Sequence, residues 1–154
     1  MNISLIIIAG LAGTFAMTAC AELVFIIIKR PYHIVSTLAR MIQFRKPTRE
    51  KPRLGYYLVA MVLHYIIGVG FCYGYYCALS TGLLNLSVIH SVVYGVIIGI
   101  VAIIGWRIFF AIHPDPPQYS LPIYLLVIWI GHIVLAVTLG QVFLLVDLAL
   151  EIGV

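Results

Sequence analysis

Residues 86–117 read LSVIHSVVYGVIIGIVAIIGWRIFFAIHPDPP. Between Leu86 and Ile112 the only charged side chain is Arg107. About 20 apolar residues let an α-helix cross a hydrocarbon layer roughly 30 Å thick. A membrane strand would alternate polar and apolar residues, and this run does not. In lipid every backbone N–H and C=O must pair within its own segment, so a continuously apolar run folds as a helix. The stop is equally plain. His113-Pro114-Asp115-Pro116-Pro117 follows, and proline has no amide hydrogen to give and clashes with the preceding turn.

Three more runs of the same kind lie around it. Together they predict spans at about 3–28, 55–79, 86–112 and 120–148. Lys29, Arg30 and Pro31 end the first. Ser80-Thr81-Gly82 and Asn85 turn the chain after the second. Pro122 falls in the first turn of the fourth, where proline is tolerated. Of the 154 residues, 64% are hydrophobic and 9% charged, and the mean hydropathy is +1.15. Soluble domains are roughly half apolar and about a quarter charged. The composition excludes an ordinary water-soluble domain and a disordered chain. The expected fold is an all-α integral membrane protein, a single domain over 1–154, with four transmembrane helices in an up-down bundle.

Eight of the nine Lys and Arg residues lie between Lys29 and Arg53. The ninth, Arg107, is on the same side of a four-span arrangement. Positive segments stay in the cytoplasm. This pattern predicts a cytoplasmic segment at 29–54, both termini outside, and a bacterial inner membrane as the setting. Met17-Thr18-Ala19-Cys20 loosely resembles a lipoprotein cleavage site. The apolar run continues to Ile28, which is too long for a signal peptide. Cys20, Cys72 and Cys77 lie in or near spans and read as small packing residues.

Within the basic segment, Ile34, Leu38, Met41 and Ile42 recur at helical spacing. The pattern predicts a short amphipathic helix lying in the headgroup plane, started at Pro31 and ended at Pro47. Arg40, Arg45, Lys46, Arg49, Lys51 and Arg53 are candidates for contact with anionic lipid or an acidic partner. The plainer reading is a topology signal. Nothing resembles a module for nucleic acid.

Polar groups inside the spans are costly and need a reason. In span one, Gly10, Thr14, Thr18 and Glu22 recur every four residues and so share a face. Glu22 lies roughly 10 Å from the basic boundary, His64 roughly 13 Å and His132 roughly 18 Å, at 1.5 Å per residue. A Glu and two His from three helices could bind a metal ion, ligate haem axially, relay protons or a small ion, or simply pair with one another. His113 could close that cluster from below or cap its own helix as a cation. His90, near the far end of span three, reads as interfacial packing. Gly95-x-x-x-Gly99 with Ser91, and Gly10 with Gly13, form small-residue packing faces. Aromatic residues near the span ends, among them Tyr75, Tyr76, Trp106, Phe110, Tyr119 and Tyr124, read as an interfacial belt. His64-Tyr-Ile-Ile-Gly68 is echoed by His132-Ile-Val-Leu-Ala136, on spans running the same way.

No phosphate-binding glycine loop, nucleophile elbow, Cys-x-x-Cys or His-Glu-x-x-His occurs. The expectation is a non-enzymatic subunit or assembly partner of a larger membrane complex, with other membrane subunits or a second copy as partner. The alternative is a bundle with a working site at Glu22, His64 and His132, edged by Thr18 and His113. That site would bind a metal ion or haem, or conduct protons or a small ion.

Overall fold

The apolar runs become helices, and the prolines and turn residues fall between them. A computed structural model describes residues 3–30, 32–44, 51–118 and 120–151, with side chains as far as residue 149. Among the described residues five helices form: α1 (Ile3–Ile27), α2 (Ile34–Gln43), α3 (Leu54–Ser80), α4 (Val88–Ile112) and α5 (Leu121–Glu151). Among the described residues there is no strand. Four of the five helices are long and apolar enough to cross a membrane, and the chain is an integral membrane protein by that measure.

The helix ends show why the runs stop where they do. At the end of α1 the Arg30 amide donates to Phe25 O (2.9 Å) and the Lys29 amide to Ile26 O (3.1 Å). This is the paired reversal of a Schellman motif, and Lys29 takes the left-handed conformation it requires, at φ 53°. Ser87 caps α4, accepting from the His90 amide at 3.3 Å, and its hydroxyl also bonds His90 Nδ1 at 2.8 Å. His90 thus belongs to a local cap. The amide of Ser120, just before α5, donates to the Tyr32 hydroxyl at 2.9 Å.

Successive spans alternate in direction. Ile6 of α1 shares a core with Tyr75 of α3 and Phe143 of α5 at one end. Phe25 of α1 shares another with Phe110 of α4 and Tyr124 of α5 at the other. The second end carries Lys29, Arg30, Lys51, Arg53 and Arg107, and is called the basic end below. Side by side, the helices run α3–α1–α5–α4. The molecule is therefore two hairpins, α1 with α3 and α4 with α5, joined along an α1–α5 seam. The matching seam between α3 and α4 is left open. Helix α5 is the most enclosed span, with 56% of its most apolar stretch buried, against 11% for α3.

The closed seams are built on glycine. A Cβ on Gly10 would stand 2.8 Å from Val69 Cα, and one on Gly68 would collide with Thr14 Oγ1. These two hold α1 against α3. On α4, a Cβ at Gly95 would come within 2.6 Å of Ile133 Cα, and one at Gly99 within 2.5 Å of Trp129. Gly13 meets Leu135 and Leu139 across the α1–α5 seam. Lipid tails are as apolar as leucine, so close approach and dispersion hold such helices together. The small faces of α1 and α4, Ser91 included, are thus covered inside this chain.

Two sequence readings need correction. Tyr75 and Tyr124 are fully buried, so they are core residues and not part of a belt at the membrane surface. Tyr75 can be buried because its hydroxyl bonds Ser91 Oγ at 2.7 Å. Tyr124 stacks on Phe25 (centroids 6.0 Å apart, planes 3° apart) and takes the edge of Trp106 at 5.4 Å. The short helix in the basic segment, α2, runs only from Ile34 to Gln43 and stops at Phe44, left-handed at φ 48°. Its buried residues are Ile34, Thr37, Ala39 and Met41, so it is tucked against the bundle on more sides than one apolar stripe predicts. Pro31, Arg45, Lys46, Pro47, Arg49 and Tyr119 lie outside the described residues.

Candidate functional site

The open α3–α4 seam is a cleft of about 490 Å³, within the roughly 300–1,000 Å³ usual for small-molecule sites. Its walls are apolar: Ile67 and Phe71 from α3, Val101, Trp106 and Phe109 from α4. Met17 and Leu135, which meet across the α1–α5 seam, form its floor, and Ile34 and Leu38 of α2 close the basic end. The far end is closed by tyrosines. Tyr94 donates to Phe71 O at 2.7 Å, and Tyr75 bonds Ser91. The two helices are pinned together there and diverge toward the basic end. Ile67, Val101, Ile108 and Ile112 on the rim are exposed, so the cleft opens sideways, toward the lipid.

Two imidazoles stand inside it. His64 and His132 both line the cleft and are 9% and 6% exposed. Each is held by a specific bond. Thr18 Oγ1 is 2.9 Å from His64 Nε2. The same hydroxyl lies 2.8 Å from Thr14 O, and Thr14 Oγ1 in turn lies 2.7 Å from Gly10 O. A carbonyl can only accept, and a threonine hydroxyl has one hydrogen. Thr18 therefore donates to Thr14, and His64 Nε2–H donates to Thr18. On α5, His132 Nδ1 donates to Ile128 O at 2.8 Å, and the ring takes the edge of Phe71 at 5.5 Å. Gly68 and Gly131, beside the two histidines in the helices, make room for neighbours from α1. Gly68 lets Thr14 lie against α3, and Gly131 faces Met17.

Glu22 does not join the histidines. Its Oε2 lies 2.7 Å from His33 Nδ1, and its Oε1 accepts the Ile34 amide at 3.1 Å. It caps the N-terminus of α2, where His33 supplies no side-chain cap of its own. A carboxylate suits that place, since the first amides of a helix lack partners and carry partial positive charge. His113 is also apart. It ends α4, accepts the Asp115 amide on Nδ1 at 3.1 Å, and packs on Phe44 at 5.1 Å. Among the described residues no group of three or more His, Cys, Asp or Glu could hold a metal ion.

The structure thus joins Thr18, His64 and His132 and sends Glu22 and His113 elsewhere. Sequence reasoning missed His33 as the partner of Glu22. A signal was present: α2 has no acid in its first turn and a histidine at its cap position, so a carboxylate from outside the helix was wanted. It also missed the cleft and its Trp106 and Gly105 walls, which no spacing announces. Of the basic residues proposed for lipid or partner contact, Arg40, Lys51 and Arg53 are described. Arg40 is half-buried on α2, with its Nε enclosed and unbonded, while Lys51 and Arg53 are exposed. Comparison of the chain with known protein families, with curated proteins and with solved structures finds no match.

Proposed function

We propose that this chain is a non-enzymatic membrane protein that takes a small lipophilic ligand from the bilayer and holds it between α3 and α4, against His64 and His132. The observation behind this is the open seam itself. Three of the four helix pairs that could close the ring are sealed by glycine contacts or small side chains. The fourth is left apart, and two buried imidazoles, His64 and His132, stand in the gap. Ligand sites in helical membrane proteins lie between helices and are apolar with a few convergent polar groups. An intramembrane ionisable residue marks function by default.

The reading as a subunit of a larger complex keeps less support. The Gly95/Gly99 and Gly10/Gly13 faces it would use are occupied by α5 and α3. The basic segment remains available to it. The positive-inside pattern supports reading the basic end as the cytoplasmic one, in a bacterial inner membrane, with α2 near the headgroups.

Native mass spectrometry of the protein purified from its own membrane tests this. The expected result is one small-molecule adduct per chain. Gly105 lines the cleft and a Cβ there would meet nothing within 4 Å, so Gly105→Phe has room at its first carbon, is expected to fill the site without disturbing a seam, and abolishes the adduct. A bare chain in both proteins overturns the proposal. A fixed complex with other polypeptides and no adduct restores the subunit reading, and a haem or metal adduct restores the cofactor reading.

A further inference from the structure

The hydrogen bonds around the two imidazoles determine what they can offer a ligand. A neutral imidazole donates through one nitrogen and accepts through the other. His132 donates through Nδ1 to Ile128 O, so its Nε2 is a bare acceptor. His64 donates through Nε2 to Thr18, because the Thr18 hydrogen is already given to Thr14 O. His64 Nδ1 is therefore a bare acceptor too. Neither nitrogen takes a bond among the described residues, and both rings are more than nine-tenths buried in the wall of the cleft. The threonine hydroxyls beside them are spent on backbone carbonyls. Among the described residues, the one side-chain donor in the lining not already committed to a bond is the indole of Trp106. It lies at the level of Tyr124, eight residues along α5 from His132, or roughly 12 Å nearer the basic end by helical rise. At the depth of the histidines the cleft offers acceptors only.

Building on the ligand-holding reading above, we infer that the ligand is a lipid-soluble alcohol or phenol whose hydroxyl donates to His132 Nε2 or His64 Nδ1. A ketone, quinone, ester or ether of the same shape would bring a further acceptor to a place that has no donor. It would leave both the ligand oxygen and the imidazole without a partner. Sites that hydrogen-bond a group reject analogues lacking it far more strongly than apolar walls reject a small change of shape.

The test uses the full chain in detergent micelles and matched probes. Farnesol is compared with its methyl ether, and an alkyl hydroquinone with the corresponding quinone, by calorimetric titration. At least one hydroxyl compound is expected to bind ten-fold or more tighter than its partner. His132→Phe and His64→Phe each keep the ring volume and remove one acceptor; one of the two should reduce the preference to two-fold or less, and if neither does, the hydroxyl inference is wrong. Whether farnesol or the hydroquinone shows the larger preference tells an aliphatic alcohol from a phenol. If each pair binds equally, and Gly105→Phe blocks both, the cleft holds lipophiles but the inference about the hydroxyl is wrong. If no probe binds the unaltered protein, or Gly105→Phe blocks none of the binding, the ligand-holding reading falls with it. Should either variant not fold, the probe pairs on the unaltered protein still decide the matter.

Discussion

A single absent methyl decides how closely α1 and α3 meet. Gly68 faces Thr14 so tightly that a Cβ would collide with its hydroxyl, whereas Gly70, two residues on, has open space around it. Gly68→Ala is therefore expected to destabilise the bundle by about 1–3 kcal/mol, the usual cost of overpacking. Gly70→Ala should be neutral or gain up to about 1 kcal/mol from helix propensity. Thermal unfolding of the two variants in the same detergent checks the contrast, and equal melting temperatures would contradict it. The effect should also reach the site. Thr14 supplies the carbonyl that takes the Thr18 hydrogen, so displacing Thr14 loosens the bond that orients His64. Thr18→Val removes that bond without adding bulk at the Gly68 contact. It should leave the melting temperature within a few degrees and reduce the preference for a hydroxyl ligand.

At the scale of the element, α2 is the part whose place depends on one distant side chain. Its first amide is satisfied by Glu22 of α1, and its last residue leads into Phe44, packed on His113 of α4. Glu22→Ala should cost about 1 kcal/mol, as loss of a helix cap does, and raise hydrogen–deuterium exchange across Ile34–Gln43 while α1 and α3 stay protected. Glu22→Gln keeps an oxygen for the Ile34 amide and should lie between. His33→Ala should do little, since the His33 side of its contact with Glu22 is 59% exposed and surface pairs of this kind are weak. Unchanged exchange in Glu22→Ala would show that α2 is held by its apolar side alone. The element also shows where sequence reading ends. Glu22 continues the stripe of Thr14 and Thr18, and period alone sends it toward the histidines. The chain reverses at Lys29, however, and brings His33 and Ile34 back to its level. Its longer side chain reaches the nearer, unsatisfied amide. A repeat of four identifies the face a residue occupies, but the neighbour across that face depends on where the chain returns.

For the whole molecule, the spans were legible because each is an unbroken apolar run ended by charge, proline or glycine, and lipid permits such a run only one backbone form. The order α3–α1–α5–α4 was not legible. Apolar residues face lipid and core alike, so hydropathy does not say which pair of helices will stand apart. The open seam depends on its pins at the far end. Tyr94→Phe combined with Tyr75→Phe removes both hydroxyl bonds between α3 and α4. In bilayers such bonds average about 0.6 kcal/mol each, so the double variant should melt lower by a few degrees. It should also bind any cleft ligand more weakly, because the walls are no longer held at a set distance. Melting and titration of that variant test both statements, and an unchanged affinity would show that the floor residues alone set the width. The most enclosed helix, α5, also follows the other four in order of synthesis. When α1 to α4 have entered the bilayer, Gly13, Met17, Gly95 and Gly99 have no partner to cover them. A ribosome halted before Leu121 leaves a product with two of its three closed seams missing, and pulse-chase labelling should show it degraded while the full chain persists. Quality control therefore has no stable half-finished form to spare, and the cleft comes into being only when the final helix completes the floor beneath it.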